Sequence, residues 1–525
     1  MRNSLGPALF SLLGACASGC ASSPTSTPAP DTGPTSDAGP EAPPAVAWEP
    51  CTLRSEGDGP PAECTTMSVP LRHTDANGEQ ISFFVKRFRP GKGTRALWLL
   101  QGGPGGSGYA FEKIVEQLSV AMPDVDYYIP DHRGTGRSTR LGCPEQEKKG
   151  SKSGIFIAAE EWPACLAAVR AEWGDKLTAF RTTEAANDLG LAIERARAPG
   201  QPVFVMGVSY GTYWAHRYLQ MFPKQPAGVI VDSIFPPGGS LARQDQDADE
   251  AGALLFAACA KDPLCSSKLG ADPRARTLAL YDKLEKGHCP ALGFEGITQR
   301  AQLRIVFGQM MMSFGMRTFI PPLVYRAERC TPADADAVNK ALGLYLLPKP
   351  PTPFLTQWGW ILSNNITFSE LWEDPSPTAD ALQEIREKAA VSRDVTSGMS
   401  PNLGAWPVYG ADEYTGKWAT VDRPTLALAG GLDPATLLRK ALPWKDHFKG
   451  PNQHWVEIAT ASHTVIASSP MTDLTRSCGS RILKGFVENP RGPLDTSCLS
   501  DLAPLTFAGR PDLTKSVLGT DDPWE

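Results

Sequence analysis

The stretch Val203-Phe204-Val205-Met206-Gly207-Val208-Ser209-Tyr210-Gly211 decides how this chain is read. Four apolar, strand-favouring residues run into a serine set between two glycines, and residues 212–221 continue in a helical pattern. A strand that passes at once into a helix needs a tight turn. Gly207 and Gly211 permit one that leaves the Ser209 hydroxyl standing clear of the backbone. That hydroxyl is a weak nucleophile at neutral pH. It reacts when a base takes its proton, an acid orients the base, and N–H groups receive the developing oxyanion.

The rest of the sequence offers candidates for all three parts. Upstream, Gln101-Gly102-Gly103-Pro104-Gly105-Gly106 follows an apolar strand at 95–100, so a bare glycine backbone approaches the serine. The N–H of Gly103, paired with that of Tyr210, is the expected oxyanion hole. A phosphate-cradling loop would need a G-K-[ST] ending, which this stretch lacks. Downstream, the elbow predicts the chain order serine, then acid, then histidine. A strand at 425–429 runs into Gly430-Gly431-Leu432-Asp433-Pro434, which puts Asp433 in a turn at a strand's carboxyl end. Asp232, just after a strand at 228–231, is the rival acid. Of the seven histidines, His447, His454 and His463 follow Asp433. His447 falls in a helical pattern and His454 opens a strand. His463 lies in a small-residue loop after the strand at 455–458, which suits a base reaching back to Ser209. The catalytic set is thus Ser209, Asp433 and His463, and this chemistry needs no cofactor.

Between residues 80 and 235 short apolar runs alternate with helical patterns, as a mostly parallel sheet with crossover helices requires. Residues 236–400 are helical instead, and strands resume after 401. The predicted fold class is therefore α/β, an α/β-hydrolase fold with an inserted helical cap: core at 48–235, cap at 236–400, core again at 401–525. The 525 residues, 42% of them apolar, can bury such a core. A net charge of -6 without a Lys/Arg-rich run gives no electrostatic reason to expect nucleic acid as a partner.

The amino terminus predicts export. Arg2, the apolar run 8–15 and Leu13-Gly14-Ala15-Cys16 resemble a bacterial lipoprotein signal of residues 1–15, with Cys16 as the lipidated residue and Cys20 in a second, weaker site. A membrane-anchored protein of the cell envelope, held by its lipid alone, is the expectation. Residues 16–47 are rich in Pro, Ser, Thr and Ala, read as a disordered tether. Setting Cys16 and Cys20 aside, ten of the 12 cysteines remain. Their spacing suggests local pairs, 51 with 64, 143 with 165, 259 with 265, 289 with 330 and 478 with 498, although sequence alone leaves connectivity open.

Taken together these motifs resemble the secreted tripeptidyl aminopeptidase and prolyl aminopeptidase branch of the α/β-hydrolases. The likeness runs over most of residues 48–510. It rests on Gln101 to Gly105, Asp131-His132-Arg133-Gly134-Thr135-Gly136-Arg137-Ser138, Thr182-Thr183 with Asp188, the Ser209 elbow, Cys259 with Cys265, Trp406-Pro407, Asp433-Pro434-Ala435-Thr436, His463, and Asp495 to Cys498. The resemblance implies cleavage at the amino end of peptides with a free amino terminus. It also implies cap carboxylates that hold the substrate ammonium, for which Glu250 and Glu370 are the first candidates, beside Asp245 and Asp249. Gln101 stands where the family often has His, Thr464 stands where Gly is frequent, and a cysteine common before Trp406 is missing. An esterase on the same residues is the alternative, since fold and triad do not select the leaving group. A non-catalytic, lipid-anchored binding protein is the second alternative.

Overall fold

A computed structural model describes residues 46–148, 151, 156–347 and 357–525. The signal peptide, Cys16, Cys20 and nearly all of the tether lie outside the described residues. Nine strands, β1 (Glu49–Thr52), β2 (Pro61–Pro70), β3 (Gln80–Phe88), β4 (Arg95–Leu100), β5 (Val125–Pro130), β6 (Val203–Ser209), β7 (Gly228–Ile234), β8 (Thr425–Gly430) and β9 (Gln453–Ile458), form one sheet. Their order is β1-β2-β3-β5-β4-β6-β7-β8-β9. From β5 through β9 all neighbours are parallel, while β1, β2 and β3 add an antiparallel flank.

Central strands of such a sheet are covered on both faces, which is why β4 to β8 read as continuous apolar runs rather than alternating ones. Successive side chains still point to opposite faces. Trp98, Val205 and Val231 enter one core with Leu189 and Trp214. Leu97, Phe204, Ile230 and Leu428 enter the other with Val115, Leu118 and Phe486. The first layer is built by α2 (Thr182–Ala196) and α3 (Tyr210–Met221), and the second by α1 (Glu112–Ala121) and a helix at Cys478–Glu488.

Between β7 and β8 the described residues are mostly helical, beginning with α4 (Gln244–Lys261) and including α5 (Gln299–Met311) and α6 (Trp360–Glu370). This insertion has its own core, in which Leu255, Phe256, Leu303, Phe307 and Val338 are fully buried. Phe507, Leu518 and Trp524 join that core. Arg326, inside the cap, donates to the carbonyls of Asp522 (2.8 Å) and Pro523 (2.7 Å). The carboxyl-terminal tail therefore packs with the insertion, a placement that its position after β9 did not foretell.

Among the described residues five disulfides join sequential cysteines: Cys51–Cys64, Cys143–Cys165, Cys259–Cys265, Cys289–Cys330 and Cys478–Cys498. Five such bridges are a feature of exported proteins. Among the described residues no helix is long and apolar enough to cross a membrane.

Candidate active site

Ser209 ends β6 with φ 60° and ψ −129°, a conformation that non-glycine residues rarely adopt. The strain is held by close backbone packing on either side. A Cβ on Gly207 would lie 2.0 Å from the Gly211 carbonyl oxygen, and one on Gly211 would lie 2.0 Å from that of Leu100. The two glycines are thus demanded by contact as well as by the turn. As the first residue of α3, Tyr210 has an N–H with no intrahelical acceptor, at the positive end of the helix dipole.

Asp433 and His463 meet at the carboxyl edge of the sheet, after β8 and β9. His463 Nδ1 lies 2.9 Å from Asp433 Oδ2 and 3.0 Å from Oδ1. The carboxylate is fully buried, and burial alone would raise its pKa. The imidazole and the Thr436 donors outweigh that penalty and hold it below the usual carboxylate range, so it is ionised at neutral pH. Ala435 N (2.8 Å) and Thr436 N (2.9 Å) donate to Oδ1, and the Thr436 hydroxyl (2.7 Å) to Oδ2. Ser209 and His463 line one cavity. Among the described residues no hydrogen bond joins them, and such bonds often tighten only when substrate is bound.

Asp232 does other work. Its Oδ1 accepts from Val465 N (2.7 Å) and its Oδ2 from Ile466 N (2.9 Å), while Ser233 Oγ accepts from Thr464 N (2.7 Å). These bonds fasten the loop just beyond His463. Burial pushes Asp232 up to about 6. Thr464 sits in the left-handed region at φ 62°, which explains physically why glycine is the frequent residue there.

The glycine loop lies against the elbow. A Cβ on Gly102 would come within 2.6 Å of Ser209 Cβ, and Gly103 has φ 124°, open only to glycine. Among the described residues no acceptor engages the Gly103 N–H. The loop is braced by the stretch Asp131 to Ser138, which was singled out above only by resemblance. Thr135 Oγ1 donates to the Gly105 carbonyl (2.7 Å), and Asp131 Oδ1 accepts from Gly108 N (2.8 Å). Arg133 anchors that stretch through a fully buried ion pair with Asp188 at 2.6 Å and 2.7 Å. Burial lowers His132 to about 4, so it is neutral, and its Nε2 lies 3.2 Å from the Tyr210 hydroxyl.

The cavity holds about 660 Å³, within the usual range of roughly 300–1,000 Å³ for small-ligand sites. Trp162, Trp358, Trp360, Met312 and Met399 give it a mostly apolar wall, and Gly102 and Gly103 open onto it beside Ser209 and His463.

Two expected ligands for an ammonium are elsewhere. Glu250 pairs with Arg439 at 2.7 Å on the outer side of α4, and does not line the cavity. Glu370, at the end of α6, is buried and accepts from Thr182 N (2.9 Å), the Tyr409 hydroxyl (2.7 Å) and the Tyr213 hydroxyl (3.1 Å), with Arg217 at 3.5 Å. Its acceptor capacity is taken up in fastening the cap to the core. Asp245 and Asp249 likewise bind protein groups, the former Ser392 and Thr396, the latter Arg274 and the Ala390 N–H. Among the described residues the ionisable side chains that line the cavity, besides His463, are Arg393 and Asp394. Sequence patterning gave no sign of either, because both lie in an irregular connection whose surroundings are set by packing.

Residues 95–251 match a family described as alpha/beta hydrolase fold. The chain is 29% identical to a tripeptidyl aminopeptidase of Streptomyces lividans over 212 residues, which cover 37% of this chain and 38% of that protein. It is 25% identical to Serine protease Hip1 of Mycobacterium tuberculosis over 264 residues, 46% of this chain and 49% of the relative. The chain therefore spans between about two fifths and one half of the length of these relatives. Among solved structures, a proline iminopeptidase of Mycobacterium smegmatis covers 81% of this chain and 99% of its own at a TM-score of 0.35 and 14% identity. That likeness adds nothing to what the topology already says. On the strand order, the elbow and the family match, the chain carries the α/β-hydrolase fold, with sequence relatives among tripeptidyl aminopeptidases and serine proteases.

Proposed function

We propose that this protein is an exported serine peptidase that releases amino-terminal residues or short peptides through an acyl-enzyme. Ser209 attacks the scissile carbonyl, His463 takes the proton and returns it to the leaving amine, and Asp433 holds the imidazole in the required tautomer. The N–H groups of Gly103 and Tyr210 receive the oxyanion, and water then releases the acyl group. The observation that carries the reading is the buried Asp433 carboxylate at 2.9 Å from His463 Nδ1, with His463 and Ser209 facing one cavity. The names of the sequence relatives support a peptide substrate over an ester.

The test uses fluorogenic aminoacyl, prolyl and tripeptidyl amides, their N-acetylated forms and short-chain p-nitrophenyl esters, with Ser209→Ala as control. Free-amine amides are expected to turn over and to lose turnover in the control. Ester hydrolysis with every free-amine amide inert would replace peptidase with esterase. Export is supported by the five disulfides, and anchoring through Cys16 by Leu13-Gly14-Ala15-Cys16. A Cys16→Ser protein should leave the membrane fraction; if it and the Cys16→Ser/Cys20→Ser double variant both stay, the anchor reading fails.

A further inference from the structure

Arg393 is the charged group of the cavity whose presence the triad does not explain. Among the described residues none of its N–H groups has a hydrogen-bond or ion-pair partner, and its Nε is sealed from solvent. A guanidinium carries five donors in a fixed fork; Arg393 is part-buried at the cavity wall, and its sealed Nε without a partner is costly. Burial depresses its pKa, against the pull of Asp433 and Asp245.

Both of those carboxylates are committed elsewhere: Asp433 to His463 and Thr436, and Asp245 to the Ser392 and Thr396 hydroxyls (2.8 and 2.7 Å). The neighbouring Asp394 accepts from the Ser397 hydroxyl at 2.6 Å and faces Arg386 at 3.6 Å. The local acids are thus engaged, and a cation is left over. The backbone that presents it is held firmly. Asp245 pins the connection at Ser392 and Thr396, the Ser392 N–H donates to the Arg304 carbonyl (3.1 Å), and a Cβ on Gly308 of α5 would strike the Ser392 carbonyl at 2.1 Å. A cation fixed in place, lacking a protein partner and lining the same wall system as Ser209 and His463, has the form of a ligand-binding group rather than a structural one.

We infer that Arg393 is a specificity residue that binds a carboxylate of the substrate while the scissile bond lies at Ser209. The inference rests on the cavity being the substrate site, and it holds for peptide or ester substrates alike. The carboxylate can belong to the carboxyl terminus of a short peptide or to an acidic side chain. Either is recognised by the same fork of N–H donors.

The experiment compares Arg393→Gln and Arg393→Lys with the unmodified protein on matched substrates: a short peptide as free acid and as carboxyl-terminal amide, the same amide with Glu or Gln next to the scissile bond, and p-nitrophenyl hemisuccinate against p-nitrophenyl butyrate. The unmodified protein should favour at least one carboxylate form by tenfold or more in kcat/KM. Arg393→Gln should abolish that preference mainly through KM, leave the neutral partner within about threefold, and leave thermal stability equal or higher; Arg393→Lys should restore part of the preference. The free-acid and Glu arms separate the two sources, and the ester arm reads Arg393 even if no peptide is cleaved. Equal rates on all matched pairs, a preference that survives Arg393→Gln, or a large loss of stability in that variant would overturn the inference.

Discussion

Asp232 lies on β7 and Asp433 in the turn that follows the neighbouring β8, and their amide variants should behave very differently. In Asp433→Asn the Ala435 and Thr436 N–H groups, which donate to Oδ1, require the amide oxygen there. The new NH2 then faces His463 Nδ1 and donates to it. The imidazole must carry its proton on Nε2 and can no longer accept one from Ser209. In a serine triad the wrong tautomer lowers kcat by about 10⁴-fold, which corresponds to about 5.5 kcal/mol of barrier. In Asp232→Asn the loss is one acceptor for the Val465 or Ile466 N–H, about 1–3 kcal/mol of stability, with kcat reduced by about tenfold or less. Active-site-normalised kcat with thermal melting of both variants reads the two effects separately. If Asp232→Asn abolished turnover while Asp433→Asn kept it, the assignment of the acid would be reversed.

Three further outcomes follow from the same contacts. Arg133→Met leaves the buried Asp188 carboxylate with only His73 at 2.8 Å and frees the Leu71, Ala179 and Pro70 carbonyls, and it should cost about 3–5 kcal/mol in urea unfolding, even though the substitution lies away from the cavity. Because the folded-state pKa of Asp232 is raised to about 6, its native form binds a proton that the unfolded chain releases near 4, so this group's stability is fully present below about 4 and is lost as pH rises through 6; melting curves of Asp232→Asn should lack that component. Removing Cys289–Cys330, which closes a separation of 41 residues, should cost about 4 kcal/mol in chain-entropy terms, against about 2 for Cys259–Cys265 with 6, as measured on paired Cys→Ser variants.

What could be read in the sequence follows the physics of each element. The central strands are apolar throughout because both their faces are covered, so β4 to β8 stand out. By contrast β2 alternates exposed and buried residues and has proline at both ends, and β1 has only four residues; neither was expected. The Ser209 elbow, Asp433 and His463 were legible because the turn demands glycines and the chain order is fixed by the fold. The surroundings of the amine-binding candidates, which do not line the cavity, were hidden for a different reason. An acidic residue on a helix does not reveal whether it meets solvent, as Glu250 nearly does, or a buried arginine and two tyrosines, as Glu370 does. Arg393 escaped notice on the same ground, since the lack of a partner is a fact of tertiary packing alone. The stretch Asp131 to Ser138 was visible as a motif, but its purpose appears only where Thr135 and Asp131 reach the glycine loop.

The central claim is that Ser209 is the nucleophile of a working triad. The most direct measurement is intact-protein mass after treatment with a fluorophosphonate, followed by peptide mapping, on the unmodified, Ser209→Ala and His463→Ala proteins. One phosphonyl adduct on Ser209, absent from Ser209→Ala and formed far more slowly in His463→Ala, is the predicted result. An adduct on another residue, or undiminished hydrolysis by the Ser209→Ala protein, would contradict it.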